Sequence, residues 1–115
     1  MDLWYNIGMR EIKLTQGQIA LVDDEDYERI NQFNWFVNEW RPGQYYAVRC
    51  LNDRSHKTIS MHRDVMGLVF GDIREVDHIH HNTLDNRQSE LRVCTHQENC
   101  QNQLPKQYLG IKRQF

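Results

Sequence analysis

Residues 74–103, REVDHIHHNTLDNRQSELRVCTHQENCQNQ, constrain the fold more than any other stretch of the chain. Val76 leads into Asp77-His78, and a long polar stretch rich in Asn, Asp and His follows. Leu91-Arg92-Val93-Cys94 then alternates apolar and polar, the pattern of a short half-buried strand. Cys94 takes an apolar position of that strand and is expected in the core. Thr95-His96-Gln97-Glu98 is a capping box, in which Thr95 and Glu98 satisfy each other's backbone N–H groups and start a helix. The spacing therefore predicts strand, long loop, strand and helix in succession. Side chains adjacent on a regular strand point to opposite faces. Asp77 and His78 can converge on one point only if their strand ends there.

The residues before this segment read as a small sheet with short helices. REIKLTQGQIALV, residues 10–22, carries two apolar-alternating runs around Thr-Gln-Gly-Gln and predicts a β-hairpin. Asp23-Asp24-Glu25-Asp26-Tyr27-Glu28 follows, five acids in six positions. The run suits the first turn of a helix, whose unpaired N–H groups favour negative charge, better than it suits a cation site. A helix is expected over about 24–33. Arg41-Pro42-Gly43-Gln44 then separates WFVNEW from YYAVRCL, and Pro-Gly at the two central positions is the type II turn signature. With HKTIS as a third strand, an antiparallel sheet of at least three strands is expected over about 35–60. Trp35, Trp40, Tyr45 and Tyr46 are expected in the core or on a sheet face rather than as platforms for bases. Ser60 is a candidate N-cap for a helix over MHRDVMGLVF that stops at Gly71.

Several classes of protein are disfavoured. No run approaches the ~18–20 apolar residues needed to span a bilayer. MDLWYNIGMREIK lacks the basic and apolar regions of a secretory signal, so the expected compartment is the cytosol. The three cysteines, Cys50, Cys94 and Cys100, form no C-x-x-C pair, which argues against a disulfide scaffold and a cysteine-pair zinc ribbon. The net charge of −2 is not that of a simple polyanion binder. Residues 74–115 are the less acidic part, with six basic against five acidic side chains. Any nucleic-acid binding must rest on placed contacts.

VDHIHHNTLDNR followed by ELRVCTHQEN resembles the HNH family of nucleases, whose active site is a ββα-metal finger. The resemblance is close over residues 76–102, and Asp-His, Leu-Asp-Asn-Arg and Glu-Asn make it jointly. EIKLTQGQIALVDDEDYERI, the aromatic hairpin and MHRDVMG also look like what precedes the finger in some members. The expected fold class is α+β: a small antiparallel sheet with helices over 1–73 that positions DNA, a catalytic finger over 74–103, and a tail over 104–115. In the tail, Tyr-Leu-Gly-Ile-Lys resembles the start of an AP2-like DNA-binding repeat.

The resemblance implies phosphodiester hydrolysis in double-stranded DNA. The chemistry needs an activated water and a centre for the developing negative charge. His78 is the candidate general base, since a neutral imidazole takes a proton near pH 7. Asp77 and Asn99 are the candidate oxygen ligands for one hard divalent cation, Mg2+ with Mn2+ as a substitute. Asn86 and Arg87 are candidates for bracing the loop that carries His78. Arg41 and Arg49 on the 35–51 hairpin are candidates for reading bases in the major groove. His62, Arg63, His96, Lys106, Lys112 and Arg113 are candidates for phosphate contacts. One base and one metal imply a nick per binding event, and a double-strand break would need a homodimer rather than a monomer, or two successive nicks. By resemblance, relatives occur in phages and mobile elements as homing or nicking enzymes, which would place this chain in a bacterial or phage-infected cell.

One position departs from the family. The middle Asn usually stands directly before the Leu of the second strand, and here that residue is Glu90. Three alternatives stay open: Asn86 and Arg87 suffice to brace the loop, the loop is looser, or Glu90 adds an acid near the metal. Two rival readings follow: a DNA-binding module that keeps the finger as a scaffold, and a zinc-stabilised interaction domain built on His80, His81, His96, Cys94 and Cys100.

Overall fold

A computed structural model describes residues 8–51 and 53–102. The expected tail, with Lys106, Lys112 and Arg113, lies outside the described residues. The fold is mixed α and β, with three small antiparallel sheets and three short helices among the described residues. Strands β1 (Met9–Lys13) and β2 (Ile19–Asp23) form the first hairpin, in the register Ile12 opposite Ala20. A 3-10 turn at Thr15–Gly17 joins them, with Gln16 and Gly17 at positive φ. Helix α1 (Asp24–Asn31) follows at once, its first turn made of Asp24, Glu25 and Asp26. It ends two residues short of the expected boundary.

The second sheet holds β3 (Phe36–Arg41), β4 (Gln44–Cys50) and β5 (Thr58–Ser60) in the order β3-β4-β5. Gly43, at φ 77°, supplies the left-handed residue that the Pro-Gly turn requires. The register slips between Glu39 and Arg41, so Trp40 is the extra residue of a bulge on β3. Helix α2 (Met61–Val65) is shorter than the sequence suggests. Gly67 takes φ 80°, its N–H reaches Asp64 O, and the N–H of Leu68 reaches Arg63 O. These two bonds make a Schellman stop, and the glycine that ends the helix is Gly67 rather than Gly71.

The third sheet pairs β6 (Glu75–His78) with β7 (Leu91–Cys94), and α3 (His96–Asn102) packs against both strands. The capping box forms as expected: Thr95 N–H donates to Glu98 Oε1 at 2.9 Å, and Glu98 N–H donates to Thr95 Oγ1 at 3.1 Å. Cys94 is buried.

One apolar cluster joins all three sheets. Ile12, Ala20 and Val22 of the first hairpin meet Ile30, Trp35, Ala47, Met61, Val65 and Leu68. Val76 and Leu91, from the third sheet, belong to the same cluster. Trp35 is its largest member, and its indole N–H donates to Ile30 O at 2.7 Å, satisfying the polar atom that a buried Trp brings with it. No described helix is long and apolar enough to cross a membrane.

Candidate active site

Strand β6 ends at His78, and there Asp77 and His78 both turn into one cleft of about 150 Å³. Asn99, from α3, lines the same cleft. The three residues singled out in the sequence are thus brought together from a strand end and a helix. Asp77 and His78 are 6% and 7% exposed. Among the described residues, no three His, Cys, Asp or Glu side chains gather as a metal-binding group.

His78 is held by its loop. Its Nε2 lies 2.8 Å from Oδ1 of Asn86, which is 1% exposed. An amide oxygen only accepts, so His78 donates from Nε2 and its basic lone pair sits at Nδ1. Burial lowers the His78 pKa, against the opposing pull of the Asn86 bond and the Asp77 and Asp85 carboxylates. The imidazole is therefore neutral at neutral pH.

The loop between β6 and β7 is tied to the first hairpin. Leu21 N–H donates to Leu84 O, and Asn86 N–H donates to Leu21 O at 2.7 Å, a parallel bridge along the outer edge of β2. Gln88 donates its backbone N–H to Asp23 and its side-chain amide to Asp26, each at 2.8 Å. Arg87 forks onto Asp85, with Nε and Nη2 donating at 2.8 and 2.6 Å. Burial pushes the Asp85 carboxyl up, and the Arg87 hydrogen bonds more than offset it, so Asp85 titrates below the usual range. His81 closes the turn after His78 at φ 65°, and Thr83 Oγ1 donates to Tyr45 O.

Neither sequence comparison nor structural comparison identifies a relative: no family model, curated protein or solved structure matches the chain. The functional reading therefore rests on the residues and their geometry.

Asp77 accepts from Arg92 Nη2 at 3.1 Å. Asn99 donates from Nδ2 to Glu75 Oε1 at 2.6 Å, and Glu75 Oε2 lies 2.7 Å from Nδ1 of His96. Those bonds, the Asn99 amide first, hold the Glu75 carboxyl below its ordinary range. Glu75 thus pins the start of α3 to β6. Because Nδ2 of Asn99 is committed to Glu75, its oxygen is the end of the amide left to accept. Glu90 Oε1 lies 2.7 Å from Nδ1 of His80. Of the two bracing candidates, Asn86 touches His78 and Arg87 holds Asp85.

Some candidates for DNA contact are placed elsewhere. Alternation along β4 puts Arg49 on the same face as buried Ala47. There it donates to Asp64 at 2.8 Å, stacks over Phe33 and is 13% exposed along its side chain. It is a packing residue, not a probe at the hairpin surface. Arg63 donates to the carbonyls of Arg74 and Asp72, tying α2 to the segment before β6. His62 stands in the first turn of α2, but its ring packs 4.7 Å from that of His78 and 5.6 Å from that of Tyr46. Burial, with His78 and Arg63 nearby, lowers its pKa to about 3. Arg41 is exposed at the rim of the cleft. His96 is exposed beside Glu75.

Sequence reasoning missed Tyr46, whose ring lies 6.0 Å from His78, together with Glu75, Arg92 and the loop anchors Asp23 and Asp26. The sequence places Tyr46 in the core or on a sheet face, and no local signal points from β4 to His78.

Proposed function

We propose that the chain is a metal-dependent DNA endonuclease of the HNH type, with residues 74–103 as its ββα-metal finger. The observation that carries this reading is the convergence of Asp77, His78 and Asn99 on one cleft, with His78 held through Nε2 by Asn86. The donor set suits a hard cation: a carboxylate from Asp77 and an amide oxygen from Asn99, both oxygen ligands. Magnesium, or manganese in its place, would supply charge stabilisation at the scissile phosphate and the leaving oxygen.

The protein's own residues do the rest. His78 presents Nδ1 to a water and takes its proton. Asn86 fixes which nitrogen is basic. Burial keeps the ring neutral, so it is competent as a base at neutral pH. Glu75 holds Asn99 and therefore the position of its oxygen. Arg92 balances the charge of Asp77. A single base and a single cation imply one strand cut per event.

The test uses supercoiled plasmid with magnesium, manganese or EDTA, beside His78→Ala. The expected result is metal-dependent conversion to open circle that falls roughly 10²–10⁴-fold in the variant, the usual worth of general acid–base catalysis. Equal cleavage by His78→Ala and the wild type overturns the assignment. DNA binding without cleavage under any metal favours the rival reading, a binding module that keeps the finger as a scaffold.

A further inference from the structure

Trp40 is displaced from the regular alternation of its strand. Residues Glu39 and Arg41 of β3 pair with Tyr45 and Gln44, which leaves Trp40 unpaired in the bulge between them. Bulges re-aim side chains, and they recur next to active sites. Here the bulge sets an indole that is 51% exposed on the rim of the cleft holding Asp77, His78 and Asn99. Trp35 shows the contrast: it fills the core and is 5% exposed.

The exposed indole is held in place. The Arg41 guanidinium lies 4.1 Å from its ring centroid, and the Tyr46 ring lies 6.2 Å away. Tyr46 in turn lies 6.0 Å from His78. These two ring-to-ring steps span a few nucleotides at the roughly 3.4 Å rise of a stacked strand. An aromatic face beside a cation is the arrangement on which single-stranded nucleic acids stack their bases. A paired base inside a duplex has both faces covered by its neighbours and cannot use such a platform unless it leaves the stack.

We infer that Trp40, with Arg41, stacks an unpaired or unstacked base close to the phosphate at the cleft, so that the preferred substrate is single-stranded or gapped DNA rather than intact duplex. The inference rests on the nuclease reading of the cleft and gives it a substrate class. The geometry also assigns Arg41 a role: it fills one side of the indole and supplies positive charge to the adjoining phosphate.

The experiment measures binding in EDTA, where cleavage does not intervene, to a short single-stranded oligodeoxynucleotide, to a duplex with a single-nucleotide gap and to the intact duplex. Trp40→Leu should weaken binding to the first two by about 5- to 150-fold, the affinity worth of one stacked base. Trp40→Phe should recover most of that loss, and intact duplex should change less. DNA should also quench a component of the tryptophan fluorescence that is missing in Trp40→Phe. Unchanged affinity of Trp40→Leu for single-stranded and gapped DNA overturns the inference, as does an equal loss in Trp40→Leu and Trp40→Phe. Plasmid cleavage that persists alongside either result leaves the nuclease reading standing. Trp40-dependent binding by a protein that cleaves nothing with magnesium or manganese removes that reading and keeps the stacking site.

Discussion

His78 Nε2 and Asn86 Oδ1 lie 2.8 Å apart with both side chains buried, although the turn through His81 and the bridge to Leu21 separate them along the chain. The bond fixes the tautomer of the imidazole. Asn86→Ala should lower cleavage by about 10- to 100-fold, the usual effect of losing a partner that orients a reactive group. It should also destabilise the fold by about 1–3 kcal/mol, because a buried N–H loses its acceptor. Asn86→Asp keeps an acceptor and adds a negative charge, which raises the imidazole pKa. The acidic limb of its pH–rate profile should move to higher pH. A profile that superimposes on the wild type would show that this bond does not govern His78.

His62 links pH to stability. Its pKa is about 3 in the folded chain and near the ordinary 6.5 when unfolded. Below pH 6.5 the unfolded state therefore takes up a proton that the folded state refuses. The stabilisation is complete above about pH 6.5 and is lost progressively as pH falls toward 3. Urea-unfolding midpoints measured between pH 7 and 4 should decline more steeply for the wild type than for His62→Phe, which lacks the titration. Parallel declines would place the acid sensitivity in other groups.

Two acids of the same run should behave differently. Asp24 pairs with Arg10 at an exposed surface, and Asp24→Ala should cost less than about 1 kcal/mol. Asp26 is buried and accepts from both Arg29 and Gln88. Asp26→Ala should cost about 1–3 kcal/mol, within the range for hydrogen bonds to a charged group. Because Gln88 belongs to the loop that carries Asn86, Asp26→Ala should also reduce cleavage, and Asp24→Ala should not. Thermal melts and plasmid assays on the two variants separate the roles.

Arg49 should matter for folding and not for DNA. Removing it leaves Asp64 partly buried without its partner, a loss of about 3 kcal/mol. The slope of log affinity against log salt for Arg49→Met should match that of the wild type, since a phosphate contact would change it by about one. A reduced slope would return Arg49 to the DNA surface.

The elements were legible because their signals are local. Alternation marked β1, β2 and β7; Pro42-Gly43 marked the hairpin; Thr95 and Glu98 marked the start of α3. The acidic run marked α1, yet nothing in it distinguishes Asp26, which is buried, from Asp24, which is not. The sequence pattern carries α2 on to Gly71, and the pair of bonds to Asp64 and Arg63 stops it at Gly67 instead. For the site, the motif spacing brought Asp77, His78 and Asn99 into view together. It named Asn86 and Arg87 together as braces and did not say which of them meets His78, because no local repeat sets the path of the loop.

By itself, the amino-acid order determined where strands, turns and the capped helix begin, since each depends on a few neighbouring residues. It also placed a histidine and an aspartate at a strand end, where they can share a cleft. The tertiary structure alone decided what surrounds them. Gln88 reaches Asp23 and Asp26 across 65 and 62 residues, and Arg29 reaches Asp64 and Val65 across 35 and 36. His62 and Tyr46 come from different elements to pack against each other and His78, and a one-residue slip of register turns Trp40 to the rim of the cleft. Such contacts form because one apolar cluster must close around residues of all three sheets, and no local pattern encodes which side chains that closure brings together.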